Sequence, residues 1–413
     1  MNILLINPPQ RTGSHQPPMG LALLAAVLER AGHKVKIGDV GTQWLDAIQD
    51  ADVVGITAVT PTITAAWQLA KDVKARNPRA KIILGGQHAS LLPEESLNAA
   101  PFDVVVTGEG EKTILDAING AHGIMPGERI RQMDNLPYLA YHLLDWGQYS
   151  YMAPHGKYRP TLPMQTSRGC PYSCAFCSKP VFGKDYRAMS PWRVLSEIRD
   201  VVNAYGVREI AFYDDVFTMD KKRTHEICEG LLKQGIKIHW TCETRVNLVD
   251  LDLLQHMKQA GCMAIAYGIE SGSPRIRMQL NKGITGAQIE TAVSWTQKAG
   301  IETIGYFMVG TPGETADDVQ ATIDFAVDLG LDYAQFSQTM AYPGTALYES
   351  LPEKPKTWDE LTYTGNGHHT AHQAYKAFYQ RPGYVWQRIK SMHSIPDLVQ
   401  NLRGVGVLVR GKV

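Results

Sequence analysis

Residues 167–177 read S-R-G-C-P-Y-S-C-A-F-C, and this short stretch decides how the rest of the chain is interpreted. Its three cysteines, Cys170, Cys174 and Cys177, are spaced C-x₃-C-x₂-C, so that a single loop can wrap a small inorganic cluster. A [4Fe–4S] cluster normally takes four thiolates, and three protein thiolates therefore leave one iron free for a ligand that is not protein. The spacing predicts a [4Fe–4S] site held by one loop.

The alternative interpretations of these cysteines are a zinc site and ordinary buried thiols. Structural zinc takes four ligands, usually as two separated pairs, and no second pair follows the loop. The other cysteines, Cys228, Cys242 and Cys262, stand singly on predicted barrel elements far from the loop. The pattern therefore favours an iron–sulfur cluster.

The loop resembles the cluster loop of the radical S-adenosylmethionine (SAM) enzymes, including the aromatic Phe176 directly before the third cysteine. The resemblance implies that the free iron chelates the amino and carboxylate groups of SAM. It further implies that reduction cleaves SAM to a 5′-deoxyadenosyl radical, which abstracts hydrogen from a substrate. An electron donor such as flavodoxin or ferredoxin is then expected as a partner.

Composition limits the classes of partner and location. Lys plus Arg and Asp plus Glu both number 41 in 413 residues, so the zero net charge gives no sign of nucleic-acid or anionic-membrane binding. The N-terminal residues lack a charged signal segment, and no apolar run approaches the ~20 residues of a membrane helix. Six cysteines, three of them assigned to the cluster, are typical of a reducing cytoplasm. We therefore expect a cytoplasmic enzyme that acts on a small molecule.

Residues 1–115 alternate short apolar runs with helical patterns, as a parallel α/β sheet does. The predicted strands are 3–6, 35–37, 53–57, 82–84 and 104–106. Small residues follow several strand ends, and they let a ligand approach the backbone at the carboxyl edge of the sheet. Because no G-x-G-x-x-G follows the first strand, a nicotinamide site is not expected.

The segments I-T-A at 56–58, G-G-Q-H-A at 85–89 and T-G-E-G-E at 107–111 resemble the cobalamin-binding domain that precedes one large class of radical SAM enzymes. The resemblance implies that the dimethylbenzimidazole tail of cobalamin enters the sheet. It assigns these residues to the cobalamin site: Thr57, Thr60, Gly85, Gly86, Gly108 and Glu109. The first loop contains His15 but lacks the D-x-H-x-x-G pattern of cobalamin mutases, so no protein ligand below cobalt is expected. His88 is expected beside the nucleotide pocket rather than as a ligand.

From residue 161 onward, strands and helices alternate at the spacing of a partial (β/α)6 barrel. The predicted strands are 163–166, 209–213, 237–242, 263–269, 304–309 and 333–337, and the first of them leads into the cluster loop. Charged and hydroxylated residues follow the strand ends, where SAM needs hydrogen-bonding partners. By the same resemblance, the SAM pocket is expected to include Phe176, Asp215, Arg245, Glu270 and Ser271.

The predicted fold is α/β and has four parts. A Rossmann-like cobalamin-binding domain covers 1–135, a linker 136–160, a radical SAM partial barrel 161–350, and a partly helical tail 351–413 that closes the barrel. In the tail, His368, His369 and His372 could suggest zinc, but Gly365 and Gly367 interrupt the local helix and no carboxylate is nearby. We therefore predict no metal site there.

The expected function is that of a cobalamin-dependent radical SAM enzyme that methylates an unactivated carbon of a small-molecule or natural-product substrate. One alternative is a radical cyclase or rearrangement enzyme without methyl transfer, similar to the anaerobic magnesium-protoporphyrin monomethyl ester cyclase. The other is a non-catalytic cobalamin or cluster carrier. A methylthiotransferase is disfavoured, because no second cysteine set supports an auxiliary cluster.

Overall fold

A computed structural model describes residues 1–9, 15–39, 44–149, 151, 155–361, 371–392, 394, 396–399 and 401. The strands are β1 Asn2–Ile6, β2 Lys34–Gly38, β3 Val53–Thr57, β4 Lys81–Gly85, β5 Val104–Thr107, β6 Gly123–Pro126, β7 Thr161–Met164, β8 Ser167–Arg168, β9 Arg187–Ala188, β10 Glu209–Phe212, β11 His239–Thr244, β12 Cys262–Glu270, β13 Glu302–Val309 and β14 Tyr333–Gln338. The helices are α1 Met19–Arg30, α2 Ile63–Arg76, α3 Gln87–Leu91, α4 Pro93–Ala99, α5 Thr113–Ile118, α6 Pro191–Tyr205, α7 Lys221–Lys233, α8 Leu251–Gln259, α9 Pro274–Gln279, α10 Gly286–Lys298, α11 Ala316–Asp328, α12 Ala346–Glu349, α13 Ala371–Tyr379 and α14 Pro382–Lys390. Within these described residues, every helix is too short or too polar to cross a lipid bilayer.

The first sheet is parallel throughout and has the strand order β2-β1-β3-β4-β5-β6. Its central strands are near-continuous apolar runs such as V-V-V at 104–106, because helices cover both faces of the sheet. The five predicted strands are confirmed. The sixth, β6, escaped prediction because its sequence G-I-M-P contains glycine and proline, which are depleted in strands.

The second sheet is also parallel, with the order β14-β13-β12-β11-β10-β7. Side chains alternate along each strand: on β11, Trp240 and Cys242 belong to the main apolar core, whereas Thr241 and Glu243 lie on the opposite face. Strands β7 and β14 form the two edges, so the curved sheet is a partial barrel, as predicted.

A short antiparallel pair closes the base of the cluster loop. Ser167 pairs with Ala188 and Arg168 with Arg187, which joins β8 to β9 on either side of the three cysteines. Two-residue strands leave no periodic signal in a sequence, so this pair was not predicted. The cluster loop therefore leaves the carboxyl end of the first barrel strand and returns to the same place, where β8 and β9 pair.

The described part of the tail adds a helical layer outside β14. The Tyr379 hydroxyl on α13 donates to the Ala334 carbonyl at 2.9 Å and accepts from the Ala334 amide at 3.0 Å. The Tyr384 hydroxyl on α14 donates to the Asp332 carbonyl at 2.8 Å. That the tail closes the open side of the barrel stays a prediction. His368 and His369 lie outside the described residues.

Candidate active site between the two sheets

One cavity of about 650 Å³ lies between the two sheets, a volume in the range of small-molecule and cofactor sites. The carboxyl edge of the first sheet lines one side of it with Thr57, Gly85, Gly86, Gly108 and Glu109. The cluster loop and the end of β10 line the other side, with Cys177 and Asp215. The structure thus brings five of the six predicted cobalamin residues into one space with the cluster loop. Thr60 is the exception: it is buried in a short turn and is not among the lining residues.

On the N-terminal side, the cavity enters the domain between the sheet and two helices. Leu5, Ile83 and Val106 line it from the strands, while Leu24 on α1 and Ile114 on α5 line it from the helices. An apolar slot of this kind suits a flat aromatic group such as dimethylbenzimidazole. The residues present therefore fit the nucleotide tail of cobalamin.

The two glycines at the end of β4, Gly85 and Gly86, have different physical roles. A Cβ on Gly85 would meet only the Val106 carbonyl oxygen, at an ordinary 3.8 Å, so Gly85 leaves space for a ligand. Gly86 has φ of +99°, and a Cβ there would lie 2.7 Å from the Ala58 carbonyl oxygen. Both glycines line the cavity, but glycine at position 86 is in addition required by the packing of the chain itself.

The two histidines considered for this domain have protein neighbours. The Nε2 atom of His15 lies 2.9 Å from a carboxylate oxygen of Asp39. His88 is fully buried with its ring edge-on to Trp67 and Trp358, and burial lowers its pKa to about 4. Neither histidine is among the residues lining the cavity. That cobalt takes no ligand from the protein stays a prediction.

Backbone hydrogen bonds hold the cluster loop in place. The amide of Ala175 donates to the Leu280 carbonyl at 2.8 Å, and the amide of Leu347 donates to the Ala175 carbonyl at 2.9 Å. The Lys179 ammonium donates to the Cys170 carbonyl at 2.8 Å. The loop is therefore fixed between the start of α12 and the end of α9, without using the thiol groups.

The three thiols of the loop would each bind a separate iron of a cubane cluster. Among the described residues, no group of three or more His, Cys, Asp or Glu side chains is arranged to hold one metal ion. Bound iron would supply the positive charge that deprotonates the three thiols.

The predicted SAM residues Arg245, Glu270 and Phe176 gather beside the cysteines. The Arg245 guanidinium stacks on the Tyr172 ring at 3.7 Å, and its Nη1 atom lies 3.8 Å from the Cys174 sulfur. Lys282 donates to Glu270 at 2.7 Å and lies 5.7 Å from the Phe176 ring. Sequence reasoning missed Lys282, because it follows α9 rather than a strand end.

The predicted SAM residue Ser271, and Asp214 next to the predicted Asp215, have structural partners. The Ser271 hydroxyl is fully buried, 2.9 Å from the Thr322 hydroxyl. Asp214 accepts from the amide of Thr166 at 3.0 Å and holds the chain just before the cluster loop. Burial raises the Asp214 pKa to about 6. Its neighbour Asp215 faces the cavity, so it has the better position for a cofactor contact.

Four charged residues join the domains in an interdomain ion-pair network of Glu109, Glu111, Arg168 and Arg187. Arg168 donates to Glu109 at 2.7 Å and to Glu111 at 2.5 Å, and Arg187 lies 2.7 Å from the other oxygen of Glu109. The side chains are nearly inaccessible, at 4% for Arg168 and 1% for Glu109. Glu109 thus lines the cavity but shares its charge with two arginines, and its direct contact with cobalamin stays a prediction.

Comparisons with known proteins agree with this two-part site. Residues 164–326 match the Radical SAM superfamily and residues 11–118 match the B12 binding domain. An uncharacterized methyltransferase of Pyrococcus horikoshii is 38% identical, covering 84% of this chain and 83% of that protein. The anaerobic magnesium-protoporphyrin IX monomethyl ester cyclase of Cereibacter sphaeroides is 29% identical, covering 88% and 66%.

The fold also matches a solved structure. The radical SAM methyltransferase TsrM from Kitasatospora setae, with cobalamin and a [4Fe–4S] cluster bound, superposes with a TM-score of 0.67 at 17% identity, covering 84% of this chain and 76% of that one. At this identity the match establishes the shared architecture. Together with the cysteine loop, the glycine-lined sheet edge and the Pyrococcus relative, it leads to one conclusion. The chain belongs to the cobalamin-binding radical SAM family.

Proposed function

We propose that the protein is a cobalamin-dependent radical SAM enzyme that methylates a carbon atom of a small-molecule substrate. One observation carries the proposal: a single cavity joins the glycine-lined edge of the first sheet to Cys177 and Asp215 of the barrel. Methyl transfer from cobalamin to a substrate radical needs both cofactors to reach the same substrate carbon. The Pyrococcus relative and TsrM are both named as methyltransferases, which supports methylation over cyclisation.

The residues divide between three cofactors. Cys170, Cys174 and Cys177 would hold the [4Fe–4S] cluster, and Phe176, Asp215, Arg245 and Glu270 would contact SAM. Thr57, Gly85, Gly86 and Gly108 would contact cobalamin. When bound, the cluster and SAM supply hydrogen abstraction, and cobalamin supplies the methyl group.

The chain's own contribution is placement and charge balance. The Arg245 guanidinium, 3.8 Å from the Cys174 sulfur, offsets the negative charge that thiolates bring to the loop. Lys282 orients the Glu270 carboxylate at 2.7 Å, so that its second oxygen can accept from a ligand hydroxyl. The apolar walls contributed by Leu24 and Val106 restrict water at the site.

The partners and location follow from this chemistry. We propose a one-electron donor of the flavodoxin or ferredoxin type, because the cluster must be reduced in each turnover. The proposal further includes a cytoplasmic location and a role for residues 351–413 in substrate choice. The domain boundaries proposed at 135, 160 and 350 separate the cobalamin part from the radical part.

The test is anaerobic reconstitution with iron, sulfide, cobalamin and SAM labelled with ¹³C in its methyl group. We expect 5′-deoxyadenosine after reduction, and a ¹³C-methylated product when a cell extract supplies the substrate. A new product without the label would replace methyl transfer by cyclisation or rearrangement. Failure of the reduced, cluster-loaded protein to form any 5′-deoxyadenosine would overturn the enzymatic proposal.

A further inference from the structure

A polar layer inside the barrel lies below the proposed SAM contacts. Glu243 on β11, Tyr306 on β13 and Gln335 on β14 alternate with core residues along their strands and face the barrel interior. The Tyr306 hydroxyl donates to a carboxylate oxygen of Glu243 at 2.9 Å. Glu243 precedes Arg245 by two residues, which places this layer about 7 Å further into the barrel. We name these three residues the lumen subsite.

Small residues between the three side chains leave room around them. In the strand register, Glu243 lies opposite Ala266, and Tyr306 lies between Gly268 and Gln335. Because β12 carries Ala266 and Gly268 there, the Tyr306 side chain can cross that strand to reach Glu243. All three residues of the lumen subsite are only partly buried, so part of each residue stays accessible.

The charge of Glu243 is not balanced by the surrounding chain. Within the described ranges, its only charged neighbour of consequence is Asp215, which is also acidic, and burial raises the Glu243 pKa to about 7. Glu270, at the carboxyl end of β12, has instead its own cation in Lys282. Nearby, the Tyr213 hydroxyl is buried and has no hydrogen-bond partner among the described residues. In the described part of the chain, this acidic, partly open layer lacks a cation, and the Tyr213 hydroxyl beside it lacks an acceptor.

We infer that the lumen subsite recognises a cationic nitrogen of the substrate, such as an ammonium group, through the Glu243 carboxylate. The inference rests on the proposed function, because it assumes that the substrate enters the barrel beneath SAM. A substrate ammonium group is a hydrogen-bond donor only, so it would pair with the Glu243 carboxylate. The hydrogen bond from Tyr306 keeps this carboxylate oriented. The Gln335 amide nitrogen donates to the Ser337 hydroxyl at 3.2 Å, and its carbonyl oxygen can accept from a neighbouring polar group. The substrate class is therefore a primary or secondary amine that is protonated at neutral pH.

The test compares two probes of matched shape, 2-phenylethylammonium and 2-phenylethanol, on the cluster- and cobalamin-loaded protein. Binding is followed by saturation-transfer NMR under anaerobic conditions. We expect the ammonium probe to bind at least about 10-fold more tightly than the alcohol, since only the ammonium forms a charged pair. In Glu243→Gln, which keeps the shape and removes the charge, this preference should disappear.

Two further variants keep the test decisive. Glu314→Gln removes another half-buried carboxyl whose pKa burial raises to about 7, but outside the lumen subsite, and it should keep the preference. Glu243→Asp retains the charge and should keep part of the preference if Glu243→Gln fails to fold. Equal binding of both probes to the unmodified protein, or a preference that survives in folded Glu243→Gln, would overturn the inference. The proposed function is tested separately, by the formation of 5′-deoxyadenosine, and that assay needs neither probe.

Discussion

The guanidinium of Arg168 lies 2.7 Å from the carboxylate of Glu109, and this pair joins the start of the cluster loop to the carboxyl edge of the other domain's sheet. Arg168 is two residues before the first cluster cysteine, and Glu109 is two residues beyond the end of β5. Both side chains are out of contact with water, so neither charge can be satisfied by solvent. The pair therefore fixes the distance between the two proposed cofactor sites.

Arg168→Ala should lower the free energy of unfolding by about 3–5 kcal/mol, because it leaves the Glu111 carboxylate buried without its cation and Glu109 with Arg187 alone. Denaturant unfolding of the cluster-free protein measures the change. Arg199→Ala is the matched control, since Arg199 forms an exposed pair with Asp200 at 3.7 Å. The control should change stability by less than about 1 kcal/mol. Equal effects of the two substitutions would show that the interdomain network contributes nothing.

Gly85→Val should reduce cobalamin binding while the first sheet stays folded, because the new side chain enters the cavity and its Cβ has an ordinary contact at 3.8 Å. Gly86→Val should instead destabilise the domain, since its Cβ would lie 2.7 Å from the Ala58 carbonyl. Cobalamin absorbance after gel filtration and thermal unfolding separate the two effects. Stoichiometric cobalamin in folded Gly85→Val would argue against this cavity as the cobalamin site.

Cys174→Ala should abolish the iron–sulfur absorbance and all SAM cleavage, because the loop offers one thiolate to each of three irons. Cys228→Ala is the control: Cys228 is fully buried on α7, in the main core, and its loss should leave the cluster intact. Ultraviolet–visible spectra and iron counts check both variants. Formation of 5′-deoxyadenosine by Cys174→Ala would refute the assignment.

Glu270→Gln should weaken SAM binding by about 5- to 100-fold, the effect of losing a charged hydrogen bond, and leave cobalamin bound. The glutamine side chain has the same shape as the glutamate next to Lys282, 2.7 Å away. The substitution therefore removes the negative charge and preserves the packing. Equilibrium binding of SAM to the cluster-loaded protein gives the ratio. Ser271→Ala serves as a comparison, because its hydroxyl faces Thr322, and it should affect SAM less.

The stability of the protein should fall as pH rises towards neutrality, in part because of Glu209. Burial raises the Glu209 pKa from 4.5 to about 7, although the amides of Gly156 and Tyr158 donate to its carboxylate. The folded state therefore binds this proton more tightly than the unfolded state. The resulting stability is complete below pH 4.5 and is lost as pH rises through about 7, up to about 3 kcal/mol.

Chemical denaturation of the unmodified protein and of Glu209→Gln at several pH values checks this dependence. The difference in unfolding free energy between the two proteins should change across the window from pH 4.5 to 7. A difference that stays constant over the window would mean that Glu209 has the same pKa in both states.

Local patterns in the sequence were sufficient for the cluster loop and for both sheets. The cysteine spacing at 170, 174 and 177 lies within one loop, and the parallel α/β class of both sheets follows from apolar runs that alternate with helical patterns. The glycines at the end of β4 could also be assigned to the ligand-binding edge, because strand ends in such a sheet meet at one edge. The cysteine spacing, the apolar runs and the glycines are all patterns of residues that are close along the chain, so the sequence shows them directly.

The contacts made by charged side chains were decided by the tertiary structure. Glu109 and Arg168 are 59 residues apart, and Glu243 and Tyr306 are 63 residues apart. A sequence shows that such residues follow strands, but not which partner each one meets once the sheets curve and pack together. The sequence by itself determined the family, the cluster loop and the cobalamin edge. Only the folded chain decided that position 86 has no room for a side chain beside the Ala58 carbonyl, that Glu109 is paired across the domains, and that Glu243 lacks a cation among the described residues. Each of these depends on which distant groups are brought close together when the chain packs.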